Sequence, residues 1–237
     1  MGLLDLPAPL FDSVDNLMTS LPTLIRLVIW GVAAGAFSMW LYRRISPQDR
    51  IARSRQDQLQ VRRQLDAFDG ELGEAWPLIR RLLGLSGVQV GRVLGPAVLA
   101  SLPVFCLLVW MSTKYGHTYP DQPPTVHVTP SSLQARWIAV QDHLPSIRVT
   151  GSEATQLAEV PLAAPVPVIE KRHWWNTLIG NPAGYLNADG PAQRLDIELP
   201  RQQFVNVGPG WMRGWEVPFF ASLIVASLAL KRVLRIY

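Results

Sequence analysis

Two stretches of this chain run too long without charge to sit comfortably on the surface of a water-soluble fold. Residues 21–42 read LPTLIRLVIWGVAAGAFSMWLY, with Arg26 as the single charged side chain, and residues 93–111 read VLGPAVLASLPVFCLLVWM with none. About twenty apolar residues make a helix long enough for a hydrocarbon core of about 30 Å, so both are expected to cross a membrane, the first over 21–42 and the second over 93–112. Between them, residues 43–92 carry ten Lys or Arg against six Asp or Glu. An excess of basic residues in a short loop marks the cytoplasmic side. Asp5, Asp12 and Asp15 precede the first span, which puts the amino terminus outside.

A third apolar run, VPFFASLIVASLAL, is followed by Lys231, Arg232 and Arg235. Fourteen residues make only about 21 Å of helix, so a third span over 217–237 requires its cations to snorkel or the bilayer to thin. Trp211, Trp215, Phe219 and Phe220 would form its outer aromatic belt, as Trp110, Tyr115 and Tyr119 would for the second span and Trp40 and Tyr42 on the cytoplasmic side of the first. The expected fold class is therefore an α-helical membrane protein with three transmembrane helices. The charge bias and aromatic belts point to a bacterial inner membrane, with the carboxyl terminus in the cytoplasm.

The net charge of +4 comes from cations beside the spans, where topology and anionic lipid account for them without nucleic acid. The lone cysteine, Cys106, lies in the second span, which excludes an internal disulfide and any cysteine-based metal site. Residues 1–20 lack Lys and Arg, and so lack the basic start of a cleavable signal peptide. Phe11, Val14, Leu17 and Met18 fall on one helical face with Asp12 and Asp15 across from it, the pattern of an amphipathic segment lying along the outer interface.

Within the first span, Gly31 and Gly35 form a GxxxG, and Ala33, Ala34, Ala36 and Ser38 keep the surrounding surface small. Such a face lets a second helix approach closely. Arg26 has two readings: it snorkels to the outer interface, or it faces a wet pocket between helices.

Ser46, Pro47 and Asp49 mark a helix start, with serine as the cap. Ile51, Leu59, Val61, Leu65, Phe68 and Leu72 give this helix an irregular apolar seam, interrupted by Gly70 and Gly73. A second short helix over about 74–85 can fold back on it. The seam is too short for a long coiled coil, so residues 43–92 are expected to pair within the chain as a helical hairpin. Pro96 and Pro103 should bend the second span.

Residues 113–216 hold eight basic and nine acidic side chains and twelve prolines. Short alternating runs at 125–129, 134–141, 147–150, 160–169 and 194–199 predict a small antiparallel β domain outside the cell membrane. His117, His127, His143 and His173 all fall in this segment, but without the spacing of metal ligands. Ser131, Ser132, Ser146 and Ser152 with His143 and Asp142 do not build a hydrolase elbow. Trp174 and Trp175, after Lys171 and Arg172, are open to burial in the β domain, to headgroup contact, or to seating a sugar or a partner. No catalytic residue, cofactor or metal is expected.

The order of span, basic cytoplasmic hairpin, span, outer segment and span resembles the YidC/Oxa insertase superfamily. The closest likeness is to the short three-span branch that includes subunit 3 of the ER membrane protein complex, its TMCO relatives and the archaeal YidC-like proteins. The residues that carry it are 40–63, WLYRRISPQDRIARSRQDQLQVRR, and 76–111, where the hairpin returns into a proline-containing span. The hundred-residue outer segment departs from that branch and suggests docking to an extracytoplasmic partner.

The resemblance implies three helices around a polar groove, with a basic hairpin at its mouth that catches nascent membrane proteins. It needs no nucleotide, and the chain has no GxxxxGK[ST] phosphate loop. Arg26, Ser38, Ser101 and Ser222 are the groove candidates on this reading. Arg43, Arg44, Arg62, Arg63, Arg80 and Arg81 would meet client or lipid. The alternative is a non-catalytic accessory subunit of a larger membrane complex, docking through its helix faces and outer domain. A groove favours the first, and closed apolar helix contacts favour the second.

Overall fold

The computed structural model describes residues 2–70, 72–139, 144–151 and 155–234. In chain order the helices are α1 (Ala8–Leu17), α2 (Thr23–Ile45), α3 (Gln48–Asp66), α4 (Leu72–Tyr115), the single turn α5 (Asn176–Ile179) and α6 (Glu216–Val233). The strands are β1 (Val126–Thr129), β2 (Gln134–Ile138), β3 (Ser146–Thr150), β4 (Gln156–Pro161), β5 (Val168–Glu170) and β6 (Arg194–Ile197). They belong to two compact units, one of Met1–Leu27 with Phe105–Pro218 and one of Val28–Val104 with Phe219–Tyr237.

In the first unit the strands form two antiparallel sheets, ordered β1-β6-β5 and β2-β3-β4. Alternation places every second side chain inward. Val126 and Val128 stand opposite Ile197 and Leu195, Ile169 also faces Leu195, and Ala135 and Trp137 face Val149 and Ile147. These residues close one core with Leu162, Val166, Leu186 and Leu199. The Tyr119 hydroxyl donates to the Leu162 carbonyl at 2.8 Å and its ring lies beside Trp137. The small β domain expected at 113–216 is present. The run expected at 160–169 is broken, because β4 ends at Pro161 and β5 begins at Val168. Residues 140–141 of the expected 134–141 strand lie outside the described residues.

The amino-terminal segment belongs to this same unit. A 3-10 turn at Leu3–Asp5 abuts the end of α5 so closely that a Cβ on Gly2 or on Gly180 would overlap the other's backbone. Gly180 also has φ +81, which favours glycine on its own account. The face of α1 turned inward carries Phe11, Asp12 and Asp15, while Leu10, Val14 and Leu17 are exposed. This changes part of the sequence expectation: Val14 and Leu17 do share a face, but it is the exposed one, and behind it Asp15 is buried and Asp12 half-buried.

In the second unit, Gly31 and Gly35 meet α6. A Cβ on Gly31 would overlap the Ser222 hydroxyl, and one on Gly35 would stand 2.7 Å from the Leu223 carbonyl oxygen and 3.0 Å from Ser227 Oγ. The missing side chains are what let the two helices touch. On α3, Ile51, Ser54 and Val61 are buried while Leu59 is exposed, so only part of the expected seam is used.

Two local expectations are corrected. Helix α4 runs unbroken for 44 residues through Pro77, Pro96 and Pro103, so the separate helix expected at 74–85 and the second span form one element. The N-cap of α3 is Pro47, with no side-chain cap. Ser46 does not cap, and its hydroxyl is buried without a hydrogen bond. Trp110 and Tyr115, expected at the outer end of the second span, lie in the last turns of α4 and are buried within the chain.

Two helices, Thr23–Ile45 and Ala75–Tyr115, are long and apolar enough to cross a membrane, with mean hydropathies of 1.7 and 2.2. Few of these span residues are buried inside the chain: 28% of the first window and 17% of the second. The core helix of a soluble protein hides its apolar residues, whereas here Ile25, Val32, Leu94, Val98, Leu102 and Phe105 are exposed. Helix α6 has 18 residues and carries Glu216, Lys231 and Arg232 at its ends.

The glycine contacts on α2 and α4 differ, and the difference is measurable. Gly35→Ala should lower the melting temperature of the purified protein, because the new methyl group meets backbone. Gly91→Ala, where nothing lies within 4 Å of the added carbon, should leave it unchanged or raise it, since alanine favours a helix over glycine by about 1 kcal/mol.

Candidate functional site

Two polar assemblies interrupt the apolar helices. The first lies in the unit that holds the β domain. Asp15 is fully buried, and its carboxylate accepts from Arg26 Nε at 3.2 Å, from the Arg26 Nη2, from the Tyr115 hydroxyl at 2.7 Å, and pairs with Lys114 Nζ at 3.1 Å. Asp12 completes it, accepting from Lys114 Nζ at 2.9 Å and from the Trp110 indole N–H at 3.1 Å. Two carboxylates thus meet two cations, and aromatic rings wall them off: Phe11 packs on Trp110, Trp110 on Tyr115, and Tyr115 on Phe204. A buried charge is tolerable only when paired and hydrogen-bonded. Arg26 is thus held by Asp15 and Tyr115 in the first turn of α2.

The second assembly lies among the helices of the other unit. A cavity of about 460 Å³ is lined by Ser38, Met39 and Tyr42 of α2, Ile51 and Arg55 of α3, Gln89, Val93, Ala97 and Ala100 of α4, and Lys231 of α6. Ser38 Oγ donates to the Ala100 carbonyl at 3.1 Å. Gln89 Oε1 is buried and accepts no hydrogen bond from the described residues. Arg55 and Lys231 bring two cations, and among the described residues no acid lines the cavity. Arg92 Nη1 reaches the Arg50 carbonyl at 3.4 Å, which holds the start of α3 beside this part of α4. The arrangement offers donors, one unmet acceptor and positive charge inside an apolar helical setting. It can solvate a polar chain segment, and it has no paired acid and base to cleave one.

Of the four groove candidates, only Ser38 lines the cavity. Ser222 donates to the Phe219 carbonyl at 2.9 Å and packs against Gly31, and Ser101 donates to the Val98 carbonyl on its own helix. Arg26 belongs to the other assembly. Arg43, Arg44, Arg62, Arg63, Arg80 and Arg81 are all solvent-exposed. Sequence reasoning missed Arg55, Gln89 and Lys231. Gln89 was legible as an uncharged polar residue in LSGVQVGRVLG, but nothing in one dimension distinguished Arg55 from its exposed neighbours.

The β domain's reactive side chains are accounted for locally. His117 bridges to Arg201 through the backbone, His127 Nε2 lies 3.7 Å from Glu198, and His173 stacks on Trp175. Ser146 donates to Glu159 at 2.7 Å. His143, Asp142, Ser152 and Arg235 lie outside the described residues. Among the described residues no cluster of three His, Cys, Asp or Glu could hold a metal ion.

Comparison with protein-family models, curated proteins and solved structures gives no match. The fold and its polar assemblies define a class: two helices with the length and apolarity of membrane spans, joined to a small antiparallel β domain.

Removing the Asp15 carboxylate should destabilise the protein. Breaking a buried pair on one side costs about 3–5 kcal/mol, so Asp15→Asn should lower the melting temperature sharply. Adding Arg26→Gln should recover part of that loss, which a double-mutant cycle would read.

His117 gives a pH signature. Burial, and then the positive charge of Arg201, lower its pKa from the ordinary value near 6.5. The folded state therefore resists protonation more than the unfolded chain does. Its contribution is full above about pH 6.5 and is lost as pH falls from there through the lowered folded value. The melting temperature should drop over that interval, and His117→Gln should flatten the drop.

Proposed function

We propose that this protein is an insertase-like factor of membrane-protein biogenesis that guides client segments into the bilayer through the polar cavity among its helices. The supporting observation is that cavity: Ser38, Tyr42, Arg55, Gln89 and Lys231 gathered among helices whose apolar side chains are largely exposed. A hydrophilic flank of a client entering hydrocarbon loses its water, and each unpaired polar group then costs several kcal/mol. Donors and an unmet acceptor at membrane depth lower that barrier. The client's own apolar segment supplies the driving force by partitioning into lipid. The two cations of the cavity, Arg55 and Lys231, attract acidic flanks and oppose the passage of basic ones.

On this reading α2, α4 and α6 are the three spans, with the amino terminus outside and the basic helices in the cytoplasm of a bacterial cell. The resemblance to the YidC/Oxa superfamily in residues 40–63 and 76–111 agrees with it. So do the exposed arginines of α2, α3 and α4, which lie available to client or lipid.

A specific observation favours a second reading. Gly84, Gly87, Gly91 and Gly95 form a small-residue stripe on α4 with nothing within 4 Å, the kind of face against which another membrane helix packs. That face suits an accessory subunit docked in a larger complex, with the β domain meeting an outer partner.

Photocrosslinkers placed at Ser38, Gln89 and Arg55 in cells separate the two. Crosslinks to nascent membrane proteins, lost on Arg55→Glu with Lys231→Glu, are the expected result. Crosslinks at Gly87 to one fixed partner, with none from the cavity to any client, would overturn the insertase reading in favour of the subunit.

A further inference from the structure

The exposed side of the amino-terminal segment carries Leu6, Leu10, Val14 and Leu17, spaced four, four and three apart. This is one continuous apolar face, and Leu17 is 83% exposed. The helix cannot rotate to hide it, because Asp12 and Asp15 on the opposite side are held by Lys114, Trp110, Tyr115 and Arg26. Next to its beginning, where Gly2 meets Gly180, the turn α5 presents a second apolar group: Trp174, 87% exposed, with Leu178 and Ile179. Arg172 is exposed two residues before Trp174. Asp5, beside Gly180, is turned inward and accepts from the Gly2 amide at 2.9 Å.

We propose that these two elements form a single lipid-binding face that holds the β domain against the outer leaflet of the bilayer. The inference rests on reading α2 and α4 as spans. Arg26 sits in the first turn of α2 and Lys114 and Tyr115 in the last turn of α4, so the charged cluster marks where both spans leave the hydrocarbon. α1 is bonded to that cluster, and only residues 18–22 separate it from α2, a tether of at most about 18 Å. Its apolar face is thereby confined to the depth of the headgroups. Leucines with tryptophan, edged by an arginine for the phosphates, are the chemistry that inserts about 5–10 Å into that boundary. Burying Trp174 and Leu178 in lipid gives α5 a role that the core of the β domain does not explain, since a single exposed turn adds nothing to that core.

The test uses the full chain with Cys106→Ser, spin-labelled singly at Leu6, Leu17, Trp174 or Leu178 and reconstituted in nanodiscs of phosphatidylcholine and phosphatidylglycerol. Labels at Val32 on α2 and at Ser132 in the β1–β2 turn serve as references. The expected result is a shift of the four patch labels toward oxygen over nickel-chelate accessibility, to a depth between those of the two references, with Val32 in hydrocarbon and Ser132 in water. Patch labels that read as aqueous while Val32 reads as hydrocarbon would overturn the lipid face and leave the spans standing. Labels shielded from both quenchers would overturn it too, because a protein then covers the patch. An aqueous Val32 would bring down the membrane reading and this inference together.

Discussion

A carboxylate with no access to water holds one end of this molecule together. Asp15 takes hydrogen bonds or charge from three residues on two helices, Arg26 at the start of α2 and Lys114 and Tyr115 at the end of α4. Moving such a group out of water is expensive, and only this full set of partners offsets it. The arrangement specifies position more than it adds stability. It ties α1 to the first turn of one long apolar helix and the last turn of another, and it decides which face of α1 is left outside.

Where charge is absent, backbone contact takes over. Helices with lipid-like surfaces have no hydrophobic reason to associate with each other, and α2 meets α6 through glycine, with carbonyls and small hydroxyls in place of interdigitated leucines. Longer polar side chains gather in the cavity of Ser38, Gln89, Arg55 and Lys231. Gln89 there keeps an acceptor that no described residue satisfies. Buried acceptors without partners are uncommon in folded proteins, and an unmet acceptor beside two cations suits a site that receives polar groups from elsewhere.

The sequence was readable where a pattern repeats within one element. Alternation of Leu195 and Ile197, or of Val126 and Val128, needs only the two-residue period of a strand. The apolar lengths of α2 and α4 need only counting. It misled where a residue's role depends on a distant partner. Arg26 looked like a stray cation because Asp15, Lys114 and Tyr115 stand 11, 88 and 89 residues away. The chain also looked as if a separate short helix at 74–85 preceded the second span, yet α4 is one helix through Pro77, Pro96 and Pro103. Ser101 and Ser222 seemed equivalent to Ser38, but Ser101 donates to its own helix, Ser222 sits where α6 touches Gly31, and Ser38 donates across to the Ala100 carbonyl in the cavity wall.

By itself, then, the order of residues determined which segments avoid water and which face a pleated sheet, since hydropathy and periodicity are properties of neighbours along the chain. Tertiary structure alone decided which polar groups are partnered. The electrostatics of a carboxylate, a guanidinium or an amide depend on what lies within about 4 Å in space, and for Asp15, Arg26 and Gln89 the folded chain had to choose those neighbours.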